Sequence, residues 1–127
     1  MENLFIEEKR DTFFVPGVDF NAEKGTCELV GESYLEDAFS FYKDLYQWLD
    51  TYMQESEKPL TFNFRLTYFN TSSSKGILDI MNKLKEFQTK KRPLTVNWYY
   101  PEDDIDNLEE AEDYIADTGL SINLISY

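Results

Sequence analysis

Residues 61–69 alternate without a break. Phe62, Phe64, Leu66 and Tyr68 share one face, and Thr61, Asn63, Arg65 and Thr67 share the other. A period of two belongs to a strand, and the polar second face means that the strand is covered on one side only. The period then changes. Ile77, Ile80, Met81, Leu84 and Phe87 fall at helical spacing, which predicts a helix from about Ser73 to Lys90. Lys90-Lys91-Arg92 suits its negative end, and Pro93 stops it. Alternation returns with Leu94, Val96, Trp98 and Tyr100 against Thr95, Asn97 and Tyr99, until Pro101. An acidic helix is expected from about Asp103 to Asp117, with Ile105, Leu108 and Ile115 inward and Gly119 as its cap. Ser121 to Ile125 reads as a last strand. This order implies parallel strands joined by crossovers. One-sided strands place the helices mainly on one face.

The N-terminal half adds strands. Leu4-Phe5-Ile6 is short. Phe13 to Phe20 is extended but broken by Pro16-Gly17, which suits a bend or an edge. Asn21 to Gly25 has turn chemistry, and Thr26 to Val30 is the return strand of a hairpin. A helix from about Leu35 to Gln54 follows, with Ser33 as cap and Glu36 as its capping-box partner. Its buried stripe is Ala38, Phe41, Tyr42, Leu45, Trp48, Leu49 and Tyr52. Phe39, Tyr46 and Met53 recur every seven residues beside that stripe; they either widen the buried face or form an exposed apolar strip for a partner. The expected fold class is α/β: one two-layer domain over residues 1–127, with a mixed sheet, parallel C-terminal strands and helices mainly on one face.

Composition narrows the function. There is no histidine, which removes the usual general base and metal ligand, and the single Cys27 makes neither a disulfide nor a zinc site. A lone buried cysteine, no run of about 18 apolar residues and no leader pattern point to a cytoplasmic chain with no membrane insertion. A net charge of −13 excludes nucleic acid as a partner. The charge is uneven: residues 75–92 carry 6 basic and 2 acidic groups, and residues 93–127 carry 9 acids and no base. Such acidity is ordinarily a solvated face, and it would also steer the chain toward a basic protein. Glu102, Asp103, Asp104 and Asp106 lack the spacing of a calcium loop, and acids favour a first helical turn in any case, so no metal or other cofactor is expected.

Between the alternating strand and the helix lies Asn70-Thr71-Ser72-Ser73-Ser74. A helix N-terminus has free N–H groups and the positive end of a dipole, so it favours phosphate. No catalytic set surrounds these hydroxyls, which suggests a hydroxyl that is modified. The ordinary alternative is that Thr71 or Ser72 merely caps the helix. The stretch is no P-loop, having one glycine, Gly76, at the wrong spacing. It does lie at the carboxyl end of a parallel strand, where open sheets build sites. A small-molecule-binding domain or minor enzyme using that edge is therefore the alternative function. Lys75 can reach a phosphate on Thr71 or Ser72, and Trp98-Tyr99-Tyr100 comes out at the same edge.

Three blocks, Gly31-Glu32-Ser33-Tyr34-Leu35-Glu36-Asp37-Ala38, Leu66-Thr67-Tyr68-Phe69-Asn70-Thr71-Ser72-Ser73 and Pro93-Leu94-Thr95-Val96-Asn97-Trp98-Tyr99-Tyr100, together resemble the SiaC family of bacterial biofilm-regulation phosphoproteins. The resemblance implies a STAS-like fold and a non-enzymatic, partner-switching role in cyclic di-GMP signalling. It implies that a serine/threonine kinase phosphorylates Thr71, with Ser72 the competitor, and that a PP2C-type phosphatase reverses this. The unphosphorylated form would bind and activate a diguanylate cyclase. Asn70, Ser73 and Lys75 are then expected to support the phosphate, and Leu78, Trp98, Tyr99 and Tyr100 to meet the partner. Leu35 stands where the family usually has proline.

Overall fold

The computed structural model describes all 127 residues. Six strands form one sheet in the order β1 (Leu4–Ile6), β4 (Gly17–Asn21), β5 (Thr26–Ser33), β6 (Leu60–Phe69), β7 (Leu94–Tyr100), β8 (Asn123–Ser126). The two short strands β2 (Lys9–Arg10) and β3 (Phe14–Val15) pair separately. β1, β4 and β5 are antiparallel, and β5 through β8 are parallel. Parallel pairing thus begins one unit before the 61–69 strand. Three helices make the crossovers: α1 (Ala38–Glu55), α2 (Thr71–Thr89) and α3 (Ile105–Thr118). Because β5 to β8 advance in one direction, crossovers of one hand put all three helices on one face. The same order lacks the reversal at which open α/β sheets hold ligands.

The core lies between sheet and helices. Phe20, Leu29, Phe62, Phe64, Leu66, Val96 and Trp98 come from the strands, and Tyr42, Leu45, Leu49, Ile77, Ile80, Leu84 and Ala111 from the helices. The other face of the sheet is polar, as the alternation requires. There Asn123 donates to Asn97, and Asn97 to Asn63, at 3.0 and 2.9 Å. Arg65 pairs with Glu28 at 2.8 Å and lies 3.8 Å over the Tyr99 ring.

The alternation breaks once. Gly31 pairs with Leu66, but Glu32 pairs with Tyr68, so Thr67 is an extra residue in β6. A bulge inverts every later side chain. Tyr68, expected inward, is 51% exposed, and Phe69 is buried in its place against Trp98 and Tyr114.

Helix starts also differ from expectation. α1 begins at Ala38 and is capped by Asp37, which accepts from the Ser40 N–H. Ser33 does not cap it, because it ends β5 and is buried. Asp104 caps α3, and Ile105, expected inward, stands 63% exposed in the first turn. The Phe39 series splits: Met53 is buried, while Phe39 and Tyr46 are exposed. Lys83 pins α1 to α2. Its buried ammonium donates to Asp50 at 2.6 Å and Glu86 at 2.9 Å. Burial pulls its pKa down, but the two carboxylates outweigh this and hold it above the ordinary lysine value. No helix is long and apolar enough to cross a membrane.

Candidate functional site

The bulge in β6 delivers Asn70 to the carboxyl edge of the sheet, where its N–H donates to the Ser33 carbonyl at 3.1 Å. Asn70, and neither Thr71 nor Ser72, is the N-cap of α2: its Oδ1 accepts from the Ser73 N–H at 3.0 Å. Thr71 is therefore the first helical residue. Each later residue turns about 100° around the axis, so four consecutive hydroxyls face four surroundings.

Thr71 is exposed and its hydroxyl has no hydrogen-bond partner in the protein. It lines a groove between α2 and α3 with Lys75, Leu78, Glu110, Asp113 and Tyr114. Ser72 is also exposed but faces the groove between α1 and α2, with a long 3.4 Å hydrogen bond to Asn70 Oδ1. Ser74 meets the Tyr114 hydroxyl at 2.8 Å. Ser73 is fully buried. Its Oγ donates to the Ser33 carbonyl at 3.0 Å and accepts from Ser33 Oγ at 2.8 Å. With that proton committed, Tyr42 must be the donor in its 2.8 Å contact with Ser33 Oγ. Burial pushes the Tyr42 phenol well above its ordinary pKa, so the donor proton is retained.

Two expectations about phosphate support therefore change. The Ser73 hydroxyl points into the core and cannot touch a phosphate on Thr71. The Asn70 amide oxygen is committed to the cap, so Asn70 supports the site by holding the turn. Lys75 is exposed, one turn from Thr71, and lines both grooves. The N–H groups of Thr71 and Ser72 are left free at the helix start, while that of Ser73 is taken by Asn70.

The aromatic edge is corrected as well. Trp98 is fully buried, its Nε1 donating to Asn107 Oδ1 at 2.7 Å, so it cannot be a contact residue. Successive strand residues point to opposite faces. Tyr99 lies on the polar face under Arg65, away from Thr71, and Tyr100 packs half-buried against the core. Leu78 is half-buried beside Thr71.

Sequence reasoning missed the far wall of the Thr71 groove. Glu110, Asp113 and Asp117 of α3 face Thr71 across it. Burial, and then repulsion from Asp104, Asp106 and Asp113, raises the Glu110 carboxyl above its ordinary pKa. The acid run of α3 was visible in the chain; its placement opposite Thr71 is a tertiary fact. Burial also pushes the Tyr114 phenol up to about 12.

Comparison with known proteins agrees with this architecture. The profile of the SiaC family regulatory phosphoproteins matches residues 6–127. An uncharacterized protein of Pseudomonas aeruginosa strain UCBPP-PA14 is 28% identical over 117 residues, covering 92% of this chain and 90% of that one. The solved structure of SiaC of Pseudomonas aeruginosa superimposes with a TM-score of 0.89 at 26% identity, over 100% of both chains. The SiaC structure solved in complex with the diguanylate cyclase SiaD, which it activates, gives 0.89 at 26% identity, over 98% of this chain and 99% of that one. With the family match spanning nearly every residue and the folds agreeing end to end, this protein belongs to the SiaC family of regulatory phosphoproteins.

Proposed function

We propose that the chain is a single-domain, non-enzymatic cytoplasmic switch. A serine/threonine kinase phosphorylates Thr71, a PP2C-type phosphatase removes the phosphate, and the unmodified form binds and activates a diguanylate cyclase. One observation carries this reading. Of the four hydroxyls at the start of α2, only that of Thr71 is both exposed and free of any hydrogen bond. A kinase can take it without breaking the fold. The SiaC–SiaD complex supports the choice of partner.

Phosphate adds about −1.5 to −2 charges at a helix start, where free N–H groups and the dipole favour it. The fold is kept, and switching acts through the docking surface. The cyclase that co-purifies from the native cell, identified by mass spectrometry, is the titrant. Thr71→Ala should bind it as the wild type does, and Thr71→Glu more weakly. The phosphoprotein should lose at least tenfold in affinity, which takes only about 1.4 kcal/mol. Helical circular dichroism should stay unchanged. Peptide mapping that finds phosphate only on Ser72, Ser73 or Ser74 would reject the site, and equal affinity of both forms would reject the switch.

The acidic wall supplies a second expected result. A phosphate on Thr71 adds negative charge to the groove lined by Glu110, whose carboxyl is already raised by burial and then by neighbouring aspartates. Phosphorylation should therefore raise the Glu110 pKa further, read by carboxyl carbon NMR. The sign follows from proton counting. The native state holds this proton at a higher pH than the unfolded chain, so stability falls as pH rises through the interval between the two pKa values. Phosphorylation widens that interval. A downward shift of Glu110 would show that the phosphate lies elsewhere.

A further inference from the structure

We propose that Lys75 carries the phosphorylation signal between the two grooves. In the unmodified protein it flanks an α1–α2 groove that takes an acidic amphipathic helix of the partner; a phosphate on Thr71 draws it away into the α2–α3 groove. The inference rests on the switch proposed above and names its docking surface and its transmitter.

The α1–α2 groove is open to solvent and holds about 460 Å3. Phe39, 75% exposed, and Tyr46, 37% exposed, make it apolar on the α1 side, and Gly76 lines it from α2. Lys43 stands on the α1 wall and Lys75 on the α2 wall. Neither lysine has a carboxylate partner, although the chain has 25 acids and 12 bases. Asp79 is the one acid lining the groove. Two unpaired cations lining a groove with exposed aromatics fit one recognition mode: a helix laying apolar anchors into the groove and acids against its walls. A second copy of this chain is disfavoured, because two chains of net charge −13 repel.

Lys75 belongs to both grooves by position. It lines the α1–α2 groove with Ser72 and the α2–α3 groove with Thr71. Thr71 and Lys75 are four residues apart on one helix, a spacing that puts their Cβ atoms about 5–6 Å apart. In the unmodified protein Thr71 has no charge to hold the ammonium, and Lys75 forms no ion pair with Glu110, Asp113 or Asp117 across that groove. A phosphate there offers about −1.5 to −2 charges to the nearest cation. The same event then removes a positive wall from the docking groove and places the new charge at its end.

The experiment titrates the co-purified cyclase against full-length variants, each in unmodified and Thr71-phosphorylated form. Phe39→Ala and Lys43→Glu should weaken unmodified binding about tenfold, while Lys24→Glu, a charge-matched change on the distant hairpin turn, should not. Lys75→Ala should weaken unmodified binding several-fold and also shrink the factor by which phosphorylation weakens it; Lys75→Arg should restore both. Hydrogen exchange should show protection by the cyclase along the facing sides of α1 and α2. Wild-type affinity in Phe39→Ala and Lys43→Glu overturns the groove. An undiminished phosphorylation factor in Lys75→Ala overturns the transmitter. Saturation of the groove by a retained small molecule, or self-association through it, overturns the partner helix. If the unmodified wild type binds no cyclase, the switch itself falls, a result separate from all of these.

Discussion

Trp98→Ala should lower stability by about 4–8 kcal/mol, a large share of the roughly 5–15 kcal/mol that a native domain has. Removing a buried tryptophan costs about 3–5 kcal/mol through lost burial and the cavity left behind. Trp98 is fully buried, with Phe64, Phe69 and Tyr114 around it at ring separations of 5.4, 6.0 and 5.9 Å. Its indole N–H also satisfies Asn107 Oδ1, while Asn107 Nδ2 donates to the Leu66 carbonyl at 2.9 Å. Alanine strands that buried amide oxygen, which adds about 1–3 kcal/mol. Trp98→Phe keeps most of the packing and loses only the hydrogen bond, so it should cost about 1–3 kcal/mol. Urea unfolding followed by far-UV circular dichroism reads both, since Trp48 complicates fluorescence. The pair also settles whether Trp98 belongs to a docking surface. A contact residue would change partner affinity and leave the unfolding midpoint alone; Trp98→Phe should do the reverse.

The layers were legible because the core is one-sided. Alternation in 61–69 and 94–100 and helical spacing in 77–87 each report a single buried face, and both periods survive in β6, β7 and α2. What escaped was phase. Nothing in Leu66-Thr67-Tyr68-Phe69 says that Thr67 is skipped, yet that one residue decides that Phe69 goes inward and Tyr68 outward. The hydroxyl cluster announced a site, but its partition among core, grooves and Tyr114 depends on Asn70 taking the cap. Ser33 has the chemistry of a cap and is consumed instead by Ser73 and Tyr42. The Phe39, Tyr46, Met53 repeat split for a geometric reason. Seven residues fall about 20° short of two full turns, so two repeats rotate the side chain by about 40°. That rotation carries Phe39 out of the interface that buries Met53. The acid wall opposite Thr71 joins α3 to the start of α2, a pairing that no local pattern encodes.

Gly76→Ala should destabilise the protein by about 2 kcal/mol, against the usual sign. In an exposed helix interior the same change gains about 1 kcal/mol, because alanine restricts the unfolded chain and glycine does not. Here a methyl at Gly76 is driven into the Tyr42 ring, with Tyr42 Cβ only 2.7 Å from it. The ring cannot swing aside: it is buried, its hydroxyl is bonded to Ser33, and Phe41 packs on it edge-on at 5.1 Å. Overpacking of this kind costs about 1–3 kcal/mol or more and is relieved only by moving a helix. α2 would have to back away from α1, separating Lys75 and Ser72 from Phe39 and Tyr46, so cyclase affinity should fall together with the unfolding midpoint. Tyr42→Leu removes the ring and loses the bond to Ser33, so alone it should also destabilise. In the double variant the two changes relieve each other, and a coupling of about 1–3 kcal/mol is expected between them. Strict additivity, or a Gly76→Ala protein more stable than the wild type, would show that glycine at this position is not what sets the spacing of α1 and α2.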